Sequence, residues 1–363
     1  MKIGFLITNL SSGGAERTTV SLANSFVQSG EDVEIITFEN SKSFYPLDKR
    51  VKIICADFNE ISHSVSLKRL AGSVHRMTAL RRLVKSRRLD VLIGMSFALT
   101  WYTVYCCAFT KTKSIGTERN NPYSYLATKF NTIMRKVFYR FTDGYVFQTK
   151  KSALFFRKKS DKDIIIPNAV FNEKIYKLSP PDTREKIICA VGRLTRQKRF
   201  DVLIDSFAIV HKAHPDYRLI IFGEGEDRKT LETQINQYGL SEVVSMPGAT
   251  ESAIETVNIA SVFVLSSDME GMPNALMEAM ALGVPCVSTN CDMGPDELIV
   301  DDESGILSEV GNAKQIAAAV NRIIENPHLA QKLSENARKL LTANSIEIIS
   351  KKWLDYIKKI VRN

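Results

Sequence analysis

The stretch Val262–Thr289, VFVLSSDMEGMPNALMEAMALGVPCVST, indicates how the whole chain folds. An apolar run leads into a Gly-Pro turn at Glu270–Asn274, and a helical segment then leads to a second apolar run. Apolar runs separated by a helix are typical of strands that are buried on both faces of a parallel sheet. Glu270 and Glu278 stand out because a half-buried carboxylate needs a partner, and a ligand hydroxyl would provide one.

The same alternation of strands and helices runs along the rest of the 363 residues. It predicts an α/β protein with two doubly wound parallel sheets. The uncharged run Val91–Thr110 is long enough to span a membrane, but a short strand followed by a helix describes it better. The alternation lapses in the polar stretch 171–184, and we therefore predict domains over 1–168 and 169–345.

The net charge of +9 is concentrated in the first half of the chain. Residues 1–168 carry 27 Lys and Arg against 13 Asp and Glu, whereas residues 169–363 carry 22 against 27. A basic half suggests an anionic partner, either nucleic acid or an anionic membrane surface, and a solvated surface is the alternative. The six cysteines lie mostly in apolar runs without paired CxxC motifs, as expected of reduced thiols in the cytosol.

Two glycine-containing turns follow predicted strands. Gly13-Gly14 lies between the first strand and the first helix, where a backbone N–H can approach an anionic group; a plain tight turn is equally consistent. Its spacing is not GxGxxG, so the dinucleotide-binding fingerprint is absent. In the second half, Gly192 is followed by Arg193 and Lys198, cations that can converge on a diphosphate, although a basic loop in solvent would look the same.

These turns and the two glutamates all follow strands, at the sheet edge where open α/β folds bind ligands. The segment 270–285, EGMPNALMEAMALGVP, resembles the Glu-x7-Glu motif of family-4 retaining glycosyltransferases, and 191–198, VGRLTRQK, is similar to their diphosphate-binding loop. The segments GGAER, IPNAV and FGEG also match. The resemblance covers nearly the whole chain. It implies a GT-B fold, in which two Rossmann-like domains face each other across a cleft and the last helix, 346–363, packs back on the first domain.

The resemblance also implies roles for individual residues. Arg193 and Lys198 would hold the donor diphosphate, Glu278 the nucleoside ribose, and Glu270 the transferred sugar. The other donor contacts would come from Gly14, Gly248, Gly271, Met272, Asn274, Ala275 and Leu276. Acceptor contacts would come from Gly13, Arg17, Glu118 and Asn120.

One position departs from the family pattern. Many members carry a histidine close to the transferred sugar, and the nearest equivalent here is Arg119. An arginine is always protonated and cannot act as a base, so the leaving phosphate would take the acceptor's proton. Arg119 would then be a catalytic residue that stabilises phosphate charge, or it would bind an acceptor phosphate. A structural ion pair of Arg119 with Glu118 or with an aspartate is the alternative.

The resemblance implies no metal and no other cofactor. Asp268-Met269-Glu270 superficially matches the DxD metal motif of another fold, but Arg193, Lys198 and helix N-termini can offset the diphosphate charge instead. The expected reaction moves a hexose or N-acetylhexosamine from a UDP-sugar to a lipid-linked or growing oligosaccharide, with retention of the α configuration, in polysaccharide assembly.

The basic half then has a plausible partner. Helix 66–88 alternates cations with apolar residues, a pattern that can lie on anionic lipid or simply pack on its own sheet. We expect a peripheral protein on the inner face of the cytoplasmic membrane. Two alternatives stay open: a UDP-N-acetylglucosamine epimerase of the same fold, whose first-domain acids and histidines we do not find, and a nucleic-acid-binding protein, for which no module is recognisable.

Overall fold

The computed structural model describes residues 1–11, 13–40, 42–56, 66–124, 127–156, 160–171, 173–250 and 252–362. The chain divides into two compact units. The first consists of Met1–Phe171 with Asn344–Asn363, and the second of Asn172–Ala343. Each unit is built on its own parallel sheet, as the alternation of strands and helices predicts.

The first unit has a seven-stranded sheet in the order β3-β2-β1-β4-β5-β6-β7. Its strands are β1 (Lys2–Ile7), β2 (Asp32–Thr37), β3 (Lys52–Cys55), β4 (Val91–Gly94), β5 (Lys113–Glu118), β6 (Gly144–Phe147) and β7 (Asp163–Ile165). Its helices are α1 (Gly14–Gln28), α2 (Ser66–Arg87), α3 (Phe97–Cys107), α4 (Lys129–Phe141), α5 (Lys150–Phe155) and α13 (Ile346–Arg362). The run Val91–Thr110 therefore forms a strand and a helix, which confirms that prediction.

The second unit has a six-stranded sheet in the order β10-β9-β8-β11-β12-β13. Its strands are β8 (Glu185–Val191), β9 (Arg218–Phe222), β10 (Val244–Gly248), β11 (Ala260–Leu265), β12 (Cys286–Thr289) and β13 (Ile306–Ser308). Its helices are α6 (Phe200–Ala213), α7 (Arg228–Gln237), α8 (Ala253–Ile259), α9 (Asn274–Ala281), α10 (Pro295–Leu298), α11 (Ala313–Glu325) and α12 (Pro327–Leu341). The opening stretch thus forms β11, a loop, α9 and β12.

The last helix, α13, completes the core of the first unit. Its residues Trp353 and Ile357 are fully buried in the same apolar cluster as the first strand and helix, where Phe5 and Phe26 stack with ring centroids 5.8 Å apart. The backbone N–H of Tyr145 in β6 donates to Tyr356 Oη over 2.7 Å. The last helix of the chain therefore packs on a sheet whose strands all come from residues 2–165.

The described side chains of α2 pack on the sheet. Leu80 and Val84 are buried in the core, and Arg87 donates to both oxygens of the buried Glu34 at 2.8 and 2.6 Å. Residues 77–87 of the helix therefore pack on their own sheet, which was the alternative to lying on anionic lipid. The side chains of the basic segment 66–76 lie outside the described residues. Among the described helices, none combines the length and the apolar character that a membrane span requires.

Candidate active site

The order of the strands in the second unit reverses between β8 and β11. Such a switch point leaves a crevice at the carboxyl ends of the two strands, because the connections on either side run in opposite directions. The loop after β8 carries Arg193 and Lys198, and the loop after β11 carries Glu270. The two sequence motifs therefore meet at the one place in this sheet where the topology favours a ligand.

Lys198 and Glu270 form an ion pair at this switch point. Lys198 Nζ lies 2.6 Å from Glu270 Oε1, and the two side chains are only 15% and 9% exposed. Ser267 Oγ donates to the same oxygen over 2.6 Å. An ammonium group has three donors, so Lys198 can keep this contact and still offer hydrogen bonds to a phosphate oxygen.

The backbone around Lys198 is held against the β11 loop by three hydrogen bonds. Gln197 Nε2 donates to the carbonyl of Met269 over 2.7 Å, and the N–H of Asp268 donates to the carbonyl of Gln197 over 2.9 Å. Ser266 Oγ donates to the carbonyl of Lys198 over 2.8 Å. These contacts are mostly made by backbone atoms, so they fix the position of the ammonium with little dependence on a ligand.

Arg199 adds a second ionic link between the same two loops. It adopts a left-handed conformation at φ 48° and lies 3.0 Å from carboxylate oxygens of both Asp201 and Asp268. The hydrogen bond to Asp201 raises the pKa of the guanidinium further. Sequence reasoning missed this residue, because nothing in the pattern distinguishes its charge from that of its basic neighbours. The two acids of Asp268-Met269-Glu270 each face a cation of the β8 loop.

Two glycines bring the β9 loop against the β8 loop. A Cβ on Gly223, at φ +143°, would lie 1.8 Å from the carbonyl oxygen of Gly192, and one on Gly225 would lie 2.2 Å from that of Leu194. The N–H of Gly192 donates to the carbonyl of Phe222 over 2.9 Å. Only glycine permits this backbone-to-backbone approach. The approach explains why the segment FGEG, which matches the family pattern, contains two glycines.

Another loop supports the turn that contains Glu270. Gly294, at φ +98°, follows β12, and a Cβ there would lie 2.2 Å from the carbonyl oxygen of Gly271. Helix α9 begins directly after Pro273, so its first N–H groups point toward this loop, as suits an anionic ligand. Glu278 lies within α9 and is 9% exposed. The carboxylate predicted to bind ribose is thus held on a buried helix.

Apart from Gly14, which begins α1 in the first unit, the remaining predicted donor residues lie on the same edge of the second sheet. Arg193 is exposed, and its guanidinium forms no ion pair with a carboxylate of any residue that the structure describes. Gly248 ends β10 at φ +93°, and its carbonyl accepts from the N–H of Gly223 over 3.0 Å. The other predicted positions belong to the turn and to the first turn of α9: Gly271, Met272, Asn274, Ala275 and Leu276.

In the first unit, Arg119 follows β5 and is nearly buried. Its Nη2 donates to Thr18 Oγ1 over 2.8 Å and to Asn168 Oδ1 over 2.7 Å. Burial lowers the pKa of this guanidinium to about 10, and the nearby Glu16 carboxylate opposes that shift. Arg119 therefore stays charged at neutral pH. Thr18 and Asn168 were missed as its partners, although both lie in or beside the matched segments GGAER and IPNAV.

Glu118 does not pair with Arg119 in the structure. Its Oε2 accepts from Arg135 Nε over 3.1 Å, and both side chains are fully buried. The Arg135 guanidinium also lies 3.7 Å from the ring centroid of Phe97. Burial raises the pKa of Glu118 to about 7, and the charge of Arg135 limits that rise. The Arg119–Glu118 pair, given above as the structural alternative, is therefore wrong, while an acceptor role for Glu118 and for its neighbour Asn120 stays a prediction.

The Gly13-Gly14 turn lies at the start of α1, as predicted. A Cβ on Gly13 would meet Glu16 Oε2 at 2.0 Å, so the Glu16 carboxylate lies against the turn. The Arg17 guanidinium lies over the Tyr45 ring, 5.6 Å from its centroid. An anionic ligand at Gly13-Gly14 would have to share this helix N-terminus with Glu16.

The fold matches solved structures along nearly its full length. A structure of Anabaena HepE in complex with UDP and glucose aligns with a TM-score of 0.82 at 19% identity, covering 99% of both chains. Sucrose-phosphate synthase from Thermosynechococcus elongatus aligns with a TM-score of 0.84 at 17% identity, also covering 99% of both chains. Two parallel-sheet α/β units with these neighbours define a protein of the GT-B fold.

Sequence comparisons then identify the family. Residues 12–173 match Glycosyltransferase Family 4, and residues 171–340 match Glycosyl transferases group 1. The chain is thus a glycosyltransferase, with a family 4 amino-terminal half and a group 1 carboxyl-terminal half. A glycosyltransferase of Haemophilus influenzae is 28% identical over 97% of this chain and 98% of its own length. A Campylobacter jejuni N-acetylgalactosaminyltransferase is 27% identical over 99% of both.

Proposed function

We propose that this glycosyltransferase transfers a hexose or N-acetylhexosamine from a UDP-sugar to a lipid-linked or growing oligosaccharide, with retention of the α configuration. The observation that carries the proposal is the Lys198–Glu270 pair at the switch point of the second sheet. A cation for the diphosphate and a carboxylate for sugar hydroxyls lie in contact there, beside the N-terminus of α9. A nucleoside diphosphate sugar needs both groups close together, because its diphosphate is bonded directly to the sugar.

Each part of the donor has a matching group in this arrangement. Lys198 and the exposed Arg193 offset the diphosphate charge, helped by the N–H groups that begin α9. Glu278 accepts hydrogen bonds from the ribose hydroxyls, and Glu270 accepts them from the transferred sugar. Glu270 can do so because its second oxygen, Oε2, is not the one that Lys198 and Ser267 contact.

The transfer step exchanges one C–O bond for another on the same face of the sugar. The bond between the anomeric carbon and the UDP oxygen breaks, and a bond from that carbon to the acceptor oxygen forms. The acceptor's proton moves to the leaving phosphate oxygen, so that UDP leaves as the second product. The protein's contribution is to position both substrates and to stabilise the charge that develops on the phosphate. We propose that Arg119 contributes to that charge stabilisation, or holds an acceptor phosphate, and that no metal is needed.

The names of relatives support the acceptor class. The Campylobacter relative is named for transfer to a diNAcBac-PP-undecaprenol-linked acceptor, and an Erwinia amylovora relative, 25% identical over 98% of this chain, for amylovoran biosynthesis. The Anabaena structure contains UDP and glucose. These names support our proposal that the enzyme acts in polysaccharide or lipid-linked glycan assembly, and we propose that it does so as a peripheral protein at the inner face of the cytoplasmic membrane.

A donor screen followed by product analysis tests the proposal. The purified chain is heated with UDP, GDP and their sugar derivatives, and UDP compounds should raise the melting temperature more than GDP compounds. The donor that is consumed is then incubated with a polyprenyl-diphosphate-linked oligosaccharide, and the new linkage is assigned by NMR. A β linkage would overturn retention, and the absence of any nucleotide-dependent stabilisation would overturn the donor site.

A further inference from the structure

Helix α4 exposes an apolar stripe that the first unit does not bury. Phe130, Ile133, Val137 and Phe141 are 69, 59, 37 and 67% exposed. Their spacing of three or four residues places them within roughly 80° of arc on one side of the helix. The core does not need this stripe, because the opposite side of α4 carries the contacts that hold the helix in place.

Those contacts are two polar pairs and one aromatic pair. Arg135 forms the buried pair with Glu118, and Tyr139 Oη donates to Asp163 Oδ2 over 2.6 Å. Trp101 of α3 lies 6.2 Å from Phe138, measured between ring centroids. The helix is therefore anchored through one side, and its exposed side is free to serve another purpose.

Cations line one border of the stripe. Lys129, Lys136 and Arg140 are exposed and fall within roughly 40° of arc next to the apolar residues. The helix contains no acidic residue. An apolar face bordered by cations is the pattern of helices that lie in the plane of a membrane interface, where the cations meet lipid phosphates.

The apolar surface continues beyond the helix at Phe109. This residue is fully exposed and holds a left-handed backbone at φ 57°, which is unfavourable for a bulky side chain. Phe109 and Phe141 line one cavity of about 610 Å³, together with Lys111, Lys113 and Asp143. Phe109 thus presents an exposed aromatic ring next to the end of α4.

We propose that the exposed side of α4 and Phe109, together called the α4 surface, bind this protein to an anionic phospholipid bilayer. Phe109, Phe130, Ile133, Val137 and Phe141 enter the interfacial region, and Lys129, Lys136 and Arg140 contact lipid phosphates. Bilayer lipid fits better than a protein partner because the exposed border of α4 carries three cations and the helix carries no acidic residue, which suits a surface of uniform negative charge. The inference rests on the proposed function insofar as a lipid-linked acceptor gives the enzyme a reason to bind a membrane.

The surface differs from the one that the sequence pointed to. In the described part of α2, Leu80 and Val84 are buried, and Arg81 donates to the carbonyl of Ala108 over 2.6 Å. Those groups stabilise the fold and are not available to lipid. In α4, by contrast, the apolar residues and the cations are both exposed.

Vesicle flotation with the full chain tests the proposal. Phosphatidylcholine vesicles with and without phosphatidylglycerol are compared for the wild type, Phe130→Ser/Phe141→Ser and Lys129→Glu/Lys136→Glu/Arg140→Glu. We expect the wild type to bind only the vesicles that contain phosphatidylglycerol. The Phe130→Ser/Phe141→Ser variant should lose at least about ten-fold in vesicle affinity, and the charge variant at least about a hundred-fold, since each cation contributes about five-fold. The matched controls, Val300→Ser/Val310→Ser and Lys212→Glu/Lys229→Glu/Lys314→Glu, change exposed residues of the second unit and should bind like the wild type.

Three outcomes would overturn the proposal: wild-type affinity in both α4 variants, equal loss in the controls, or a dimer in solution that dissociates when Phe130 and Phe141 are replaced. Stabilisation by UDP and turnover with a short soluble acceptor are measured on the same samples. If UDP compounds neither stabilise the chain nor turn over while the α4 variants still lose vesicle binding, the proposed function fails and the α4 surface stands. If the enzyme is active and the α4 variants bind vesicles like the wild type, the proposed function stands and the α4 surface fails.

Discussion

Lys198 Nζ lies 2.6 Å from Glu270 Oε1, across two loops whose residues are 72 positions apart in the chain. The contact joins the group predicted to hold the diphosphate to the group predicted to hold the sugar. Ser267 donates to the same oxygen, so the orientation of the carboxylate does not depend on the lysine alone. Because the two groups share one contact, replacing either one also changes the environment of the other.

Replacing Glu270 with Ala should lower kcat by at least about 100-fold, a loss typical of a group that stabilises the transition state. UDP should bind nearly as well as before, because the ammonium of Lys198 is then released toward the diphosphate. Steady-state kinetics and UDP titration by calorimetry measure the two effects separately. Lys198→Ala is the counterpart variant, and it should weaken UDP binding more than Glu270→Ala does. A variant of Glu270 that loses UDP binding and turnover to the same extent would contradict these roles.

Replacing Glu278 with Ala should weaken UDP binding by about 10- to 160-fold, since a hydrogen bond to a charged group contributes about 1.5–3 kcal/mol. The melting-temperature rise produced by UDP should shrink accordingly. Glu226→Ala, which removes an exposed glutamate of the same unit, serves as the control and should leave the rise unchanged. An undiminished response in Glu278→Ala would remove this residue from the nucleotide site.

The strand–loop–helix pattern around Glu270 could be predicted because strands buried on both faces leave continuous apolar runs in the sequence. The contact of Glu270 with Lys198 could not, because it depends on how two loops fold after strands that become neighbours only in the sheet. The same holds for Glu118, whose partner is Arg135 and not the adjacent Arg119. Charge and spacing identify the residues that need partners, whereas packing selects the partner.

The exposed stripe of α4 illustrates a different limit. Its residues have the spacing that normally marks the buried face of a helix, and sequence alone therefore favours a core position for Phe130 and Phe141. Burial of the polar residues Arg135 and Tyr139 instead turns the apolar stripe outward. That reversal becomes visible only once Glu118 and Asp163 are seen to supply partners inside.

Replacing Gly294 with Ala should destabilise the second unit and reduce turnover. The new Cβ would lie 2.2 Å from the carbonyl oxygen of Gly271, so the turn that holds Glu270 must shift. Gly239→Ala is the matched control, because that glycine also has a positive φ but no atom within 4 Å of the added Cβ. Backbone strain of about 1–3 kcal/mol is common to both. Denaturant unfolding should show a greater loss of unfolding free energy for Gly294→Ala than for Gly239→Ala. Equal losses would mean that the backbone at Gly271 moves away from the new Cβ at no cost in free energy.

Removing divalent metals should leave the activity unchanged. Lys198, Arg193 and the N-terminus of α9 are the groups proposed to offset the diphosphate charge, a task that a metal ion performs in other enzymes. UDP release is measured in EDTA and again after magnesium or manganese is added back in excess. Loss of activity in EDTA with recovery on addition of either metal would reject the proposal.

The pH dependence of stability should reveal the burial of Glu118. Its pKa is raised from 4.5 to about 7 in the folded protein, so between these values the folded state holds a proton that the unfolded state has released. Stability must then fall as pH rises through this window, by about 1–3 kcal/mol. Glu118→Gln resembles the protonated side chain and should lack this component.

The measurement is the free energy of unfolding for both proteins at several pH values from 4.5 to 8. The wild type should lose stability relative to Glu118→Gln up to about pH 7 and run parallel to it above that value. The opposite sign, with the wild type gaining on the variant as pH rises, would mean that the attraction of Arg135 outweighs burial. The comparison therefore decides between the two forces on this carboxylate, because every other titrating group is common to both proteins.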